Sequence, residues 1–433
     1  MRALPLFPLL LLGTSSLFFT ACADDPCRGQ GVHRLTVVAP GETHQLVEGD
    51  PRRFASIQDA LDFAEPGVAV CVSPGVYREA IRLETDSVRL IGAGAGRTIV
   101  ESRFSDDDPL EGGDTVLGLY AADLFVSGFT LRGGARGVVL DGEAEAELVD
   151  LRSEENGVGL LALNGSTLTL TDVSLVRNGA TGALLYGEEG AVEWTGGEIL
   201  GNGTLGRSDI GGVFAERDLY ARDLRLRDNV GESAGDLLST GTLLLEGSTL
   251  ERPSASGGGP RLVSQGGAVL RAVSAHIDGA AVLQAACRGG AEVRIENLAL
   301  TDVAPIAPAI RLQGCPAEIL HGTFVDLSGE GHFAAVSLGG DTKLTLRNTA
   351  VIGYSALTMS GERWIGELFE SNNFVGTAAD ASLLRTLEVE PDLRPQSDSP
   401  LVDAGAGVSL AEDLDGRPRP SGLGPDIGAY EHY

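Results

Sequence analysis

The sequence predicts an all-β fold, a right-handed parallel β-helix: a solenoid of about 12 coils, each of three short strands, with an N-terminal capping helix and an irregular C-terminal cap. Three observations carry that expectation. First, one phrase recurs ten times between Gly128 and Asn348, as in LTLTDVSL (168–175), LYARDLRL (219–226), VRIENLAL (293–300) and LTLRNTAV (344–351). Its closing positions are Leu131, Ser153, Leu175, Leu200, Leu226, Leu250, Ile277, Leu300, Val325 and Val351, spaced 22 to 27 residues apart. Second, three residues before these anchors sit Gly128, Asp150, Asp172, Gly197, Asp223, Gly247, Ser274, Asn297, Gly322 and Asn348. All are types that tolerate a turn or left-handed backbone. Third, a further alternating run follows later in each coil, such as ALLYG (183–187), DLLST (236–240) or AIRLQ (309–313). Alternation of period two is the strand signal.

Leucine-rich repeats share this period but need a helical return, and the returns here are too rich in glycine. Strand–crossover–strand connections are overwhelmingly right-handed, which sets the expected hand. Stacking is obligatory, because one coil cannot bury its apolar face alone.

Taken in order, residues 1–21 read as an export signal: Arg2, an apolar run from Leu4 to Phe19, then small residues. Phe19-Thr20-Ala21-Cys22 resembles a lipobox, which implies lipidation of Cys22 and a membrane anchor; Phe in place of the usual Leu departs from the pattern. The rival reading is cleavage at Ala21-Cys22-Ala23 and release as a soluble periplasmic or secreted protein. Residues 22–50 read as a leader, 51–375 as the β-helix and 376–433 as the C-terminal capping segment. Ser56 is placed to cap a helix over 57–64, with Ile57, Ala60, Leu61 and Ala64 on one face. Two early coils follow, at 68–72 with 80–83 and at 88–92 with 98–100. The glycines at 92, 94 and 96 suggest a dinucleotide loop, but no helix follows them, so they read as a turn.

The stretches SIQDALDFAEPGVAVCVSPGVYREAIRL (56–83) and VRLIGAGAGRTIV (88–100) resemble the opening of pectin lyase-like right-handed β-helix proteins. SPLVDAG (399–405), DLDGRPRP (413–420) and DIGAYE (426–431) resemble the choice-of-anchor Q type signature of bacterial cell-surface β-helix proteins. The resemblance implies a fold and a place in the bacterial cell envelope. It implies no single activity, since such proteins include lyases, hydrolases and adhesins.

Either cleavage leaves Cys27, Cys71, Cys287 and Cys315. Aligning 283–295 with 311–320 puts Cys287 and Cys315 at equivalent points of neighbouring coils, within bridging distance. That leaves Cys27 for Cys71; the alternative is four buried free thiols. Lys+Arg 32 against Asp+Glu 61 gives a net charge of −29. Nucleic acid and anionic membrane surfaces are therefore poor partners, and a polyanionic substrate would need Ca²⁺ to bridge it.

Candidate chemistry is sparse. Asn156, Asn178 and Asn229 recur at one turn position, with Asn202 one residue out of register; stacked asparagines of this kind are read as structural. On the same flank, Glu154, Arg177, Arg227 and Asp228 are the candidate catalytic residues, for glycosidic hydrolysis by paired carboxylates or for elimination on an acidic sugar. Lys343, the sole lysine, starts a strand. His276 and His321 are placed at outward positions two coils apart, too far for a metal pair. No metal or other cofactor is required; Asp106, Asp107 and Asp108 form an acidic loop with oxygen ligands suited to Ca²⁺. Asp413-x-Asp415-Gly416 is a fragment of a calcium loop and reads as turn chemistry.

Three functions are compatible with this sequence. The first is a non-catalytic, lipid-anchored surface protein, acting as a monomer, that binds polysaccharide or another surface partner. The others are a polysaccharide lyase or glycoside hydrolase acting on the flank, and a structural envelope component. Aromatic content of 5% weighs against sugar subsites built on exposed rings. Trp194 falls on a core-facing position and Trp364 near the cap.

Overall fold

Short stretches of alternating side chains become three columns of parallel strands stacked coil upon coil. The computed structural model describes residues 27, 34–40, 52–102, 114–187, 190–204, 208–251, 259–361, 363–386, 391–407 and 410–433. Among these, the first column runs from Ala69–Val72 to Glu367–Ser371 and the second from Gly75–Tyr77 to Phe374–Gly376. Long strands such as Glu145–Glu154 and Thr167–Val176 belong to both, because they turn the corner between them with only the bend residue left out of the ladder. The third column holds twelve strands, from Ile81–Leu83 to Ala356–Ser360, and the late runs read from the sequence overlap its strands. The molecule is thus an all-β parallel solenoid of about twelve turns.

The corner between the first two columns is a stack of left-handed residues. Observed register pairs Leu175 with Ile199, Ile199 with Leu226, Leu250 with Ala275, and Leu300 with Phe324. Three expected anchors, Leu200, Ile277 and Val325, therefore lie past their true rungs. The bend falls on Ala272 and His321, with φ of 50° and 54°, where Ser274 and Gly322 were expected, and on Gly196 together with the expected Gly197, at 71° and 98°. Alanine and histidine carry a steric cost there of about 1–2 kcal/mol. Ladders to the coils above and below hold them in place, so residue type alone misplaces the bend.

Inward side chains line one continuous core. Trp194, Phe129 and Phe324 are its bulkiest apolar members, all essentially inaccessible. At the N-terminal end, the helix Ile57–Asp62 buries Ile57, Ala60 and Leu61, and Ser56 accepts a hydrogen bond from Asp59 N at 3.2 Å. It stops short of Ala64 because the Glu65-Pro66 pair disfavours further helix. The Glu79 carboxylate adds a cap unseen in the sequence, accepting from Ile57 N and Gln58 N at 3.0 Å each. Arg34–Val37, inside the stretch read as a leader, pairs in parallel with Ala69–Val72 and adds a rung over the open edge. Both expected disulfides are present, Cys27–Cys71 and Cys287–Cys315.

The C-terminal segment is irregular apart from a short 3₁₀ turn and a small antiparallel hairpin, Leu384–Thr386 with Asp392–Pro395. It lies along the outside of the second column. Leu384, Leu393, Leu401, Ile427 and Ala429 pack on the outward residues Ala299, Val325, Ala350 and Ile352. The Arg419 guanidinium clamps it down: it pairs with Glu431 and donates to Asn297 Oδ1 at 3.1 Å and to Gly428 O at 2.9 Å. Asp413 is consumed as turn chemistry, accepting from Asp415 N, Arg417 N and Glu431 N. Among the described residues, no helix is long and apolar enough to cross a membrane.

Candidate functional site

The outer face of the second column presents two rows of side chains, set by strand alternation. One row carries Arg152, Ser174, Glu198, Arg225, Thr249 and Ser274; the other carries Arg132, Glu154, Val176, Leu200, Arg227, Glu251, His276 and Thr301.

Two charged clusters sit on this face. In the first, Glu154 lies 2.6 Å from Arg152 Nε, 3.7 Å from Arg177 Nη2 and 3.9 Å from Arg132. Arg177 also pairs with Glu155 at 3.0 Å. Arg132 bonds Glu101 and holds that carboxyl below its ordinary range. In the second, Arg227 meets Asp228 at 3.2 Å, and Arg225 meets Glu251 at 3.1 Å and Glu198 at 3.7 Å. Glu154 and Arg227 occupy the same position three coils apart, with Val176 and Leu200 between them. Three strand spacings amount to about 14 Å. The fold thus joins Glu154 to Arg177 and Arg227 to Asp228, but keeps the two pairs apart.

A groove opens beside the second cluster, where the C-terminal segment walls the column. Its volume is about 560 Å³, and its lining includes Arg225, Arg227, Glu251, His276, Thr301 and Tyr430. His276 Nδ1 and Thr301 Oγ1 lie 2.6 Å apart on adjacent rungs. Burial pushes the Tyr430 phenol well above its ordinary range, and the Arg394 guanidinium stands over its ring at 5.1 Å. From the sequence His276 is weighed only as a metal ligand, and Tyr430 is not singled out. Strand alternation does place His276 outward, but only the return of residues 391–433 onto the column brings Tyr430 to it.

Asn202 is in register after all: Asn156, Asn178, Asn202 and Asn229 form one buried ladder in the corner before the third column. Asn178 donates to Asn202 Oδ1, and Asn202 to Asn229 Oδ1, both at 2.9 Å. The ladder ends on Asp236, which pairs with buried Arg261. These side chains are spent on one another and on carbonyls, the structural role expected of them. His321 is fully buried at the bend, with Nε2 3.1 Å from Asn348 Nδ2, and is not the outward residue expected. Lys343 sits in the first column and pairs with Glu367 at 3.4 Å. Cys22 and Asp106, Asp107 and Asp108 lie outside the described residues. Among the described residues, no three His, Cys, Asp or Glu side chains converge as a metal set.

Scans against protein-family profiles and against curated proteins return no match. Solved structures do align. Pectate lyase Pel9A is 15% identical over 94% of this chain and 99% of its own, with a TM-score of 0.44. The catalytic unit of a thermostable GH87 alpha-1,3-glucanase from Streptomyces thermodiastaticus strain HF3-3 is 13% identical, covering 84% of this chain and 72% of its own at a TM-score of 0.42. The strand-by-strand ladder, rather than these alignments, establishes the parallel β-solenoid.

Proposed function

We propose that this chain is an exported, lipid-anchored surface scaffold that holds a glycan against its second column without cleaving it. The groove carries the proposal. It is open and polar, has a guanidinium pair, an imidazole and a hydroxyl along its floor, and is walled by Tyr430 and Leu393. Its length along stacked rungs suits an extended polymer, and its cations suit isolated acidic groups on a sparsely charged chain.

The engagement of the carboxylates supports binding over hydrolysis. Glycosidic hydrolysis needs one carboxyl to donate a proton and a second to act as base or nucleophile. Glu154, Glu155, Asp228 and Glu251 are each held by an arginine at 2.6 to 3.2 Å. A guanidinium contact of this length takes up the carboxylate oxygen that would have to face a glycosidic bond.

The test is retention of the purified mature chain on a panel of neutral and acidic polysaccharides, with and without Ca²⁺, with products assayed in parallel. Retention without new ends, weakened by Arg227→Ala, is expected. Release of reducing or unsaturated ends would establish a hydrolase or lyase instead, and no retention on any polymer would favour a structural envelope component. Anchoring through Cys22 is tested separately: inhibiting lipoprotein signal peptidase should leave unprocessed precursor, and unchanged processing would indicate the soluble form.

A further inference from the structure

Below the groove, the core itself contains an oxygen-lined site that the glycan reading does not use. Asp302 ends the strand Val293–Asp302 and Asp326 ends Thr323–Asp326, and the two are direct partners on adjacent rungs. Both follow the inward positions Leu300 and Phe324, where a solenoid ordinarily places an apolar residue; one rung earlier that place is held by Ile277. The carboxyls are 0% and 3% exposed.

Each has one oxygen satisfied and one not. Asp302 Oδ1 accepts from Gly279 N at 2.9 Å and Ala304 N at 3.2 Å. Asp326 Oδ1 accepts from Ser328 N at 2.8 Å and Ser328 Oγ at 2.6 Å. The second oxygen of each carboxyl is buried with no hydrogen-bond partner among the described residues, and so is the hydroxyl of Tyr354, which is 4% exposed. Tyr354 follows Gly353, which packs directly against Asp326, and the charges of both carboxyls act on its phenol. Its neighbour Gly353 has φ of 84°, and a Cβ there would come within 3.1 Å of Asp326 Cβ, so the backbone keeps this corner free of a side chain.

We propose that Asp302, Asp326 and Tyr354 form an internal Ca²⁺ site bridging two coils. Three oxygens with no nitrogen or sulfur select a hard cation. Adjacent rungs are about 4.8 Å apart, a spacing that lets one Ca²⁺, bound at about 2.3–2.6 Å, reach a carboxyl from each. Backbone carbonyls and water complete the shell. The ion's two charges match the two carboxylates, whose other neighbour of note, Asp278, is also acidic. Burial raises the Asp302 carboxyl to about 6. Thr301, the residue before Asp302, lines the groove, so the ion would stiffen the floor on which a ligand rests.

The experiment uses the full mature chain stripped with a chelator. Calorimetric titration with Ca²⁺ should show a binding event accompanied by a rise in Tm. Asp302→Asn and Asp326→Asn should each weaken that event by at least about tenfold, whereas Asp106→Asn should leave it unchanged. Should the core variants fail to fold, Tb³⁺ replaces Ca²⁺ as the probe. Its emission on tyrosine excitation should be strong in the wild-type chain and fall sharply in Tyr354→Phe but not in Tyr433→Phe. A folded wild-type chain with neither a Ca²⁺-dependent Tm shift nor sensitised Tb³⁺ emission overturns the site. So does Ca²⁺ affinity that survives both core substitutions or disappears with Asp106→Asn.

Discussion

Asn202 lies directly beneath Asn178 in the buried corner of the solenoid, and its Oδ1 accepts both the backbone N–H and the side-chain Nδ2 of Asn178, each at 2.9 Å. Counted from the phrases in the sequence, Asn202 is one residue astray. In the fold it is the middle rung of a ladder that begins at Asn156 and ends at Asp236.

The ladder makes Asn202 expensive to lose. Asn202→Ala strands two donors of Asn178 and the Leu175 carbonyl that Asn202 now satisfies at 2.9 Å. A loss of about 1–3 kcal/mol is expected. Urea unfolding should show a lower midpoint with an unchanged slope.

Arg419 and Glu431 form an ion pair with both side chains 0% exposed. Arg419→Met leaves a buried carboxylate unpaired and should cost about 3–5 kcal/mol, while Arg419→Met with Glu431→Leu should recover most of it. Limited proteolysis is the check: the single variant should be cut within residues 391–433 while the coils survive.

The Cys287–Cys315 bridge closes a sequence separation of 28 residues between neighbouring coils. Replacing both cysteines with serine should lower stability by about 2–4 kcal/mol. Non-reducing peptide mapping of the wild-type chain should recover the two peptides joined.

Stability of the chelated chain should respond to Asp302 in an unusual direction. Its folded carboxyl titrates at about 6, above its ordinary value of 3.8, so the native state binds more protons between those values. The contribution is fully present below pH 4, is lost as pH rises toward 6, and is flat beyond, by up to about 3 kcal/mol. The charged groups that act on Asp302 are Asp326 and Asp278, both acidic, and no cation opposes them among the groups that shift it. Carboxyls held low by arginine, such as Glu101, run the other way. The measurement is therefore the difference between wild type and Asp302→Asn in urea across pH 4 to 7, which should shrink to a constant if Asp302 is the source.

Much of the architecture was legible because strand alternation is local. The late runs at 183–187, 236–240 and 309–313 each overlap a third-column strand, and the cysteine register held across a coil. Bend positions were less legible, since Ala272 and His321 adopt a left-handed backbone only under the constraint of their neighbours. The site was the least legible part. Glu154 and Arg227 share a flank by pattern, but the number of coils between them follows from the stacking register.

By itself the sequence determined a stacked all-β solenoid, a capped N-terminal helix, two bridges and a charged flank, because each depends on spacing within a coil or between adjacent coils. Tertiary structure alone decided where residues 391–433 lie, and with them the groove beside His276. It also decided that Asp302 and Asp326 meet on adjacent rungs, with Gly353 and buried Tyr354 on the coil beyond. Those contacts join residues far apart in the chain through packing and charge burial, and no periodicity in the sequence records them.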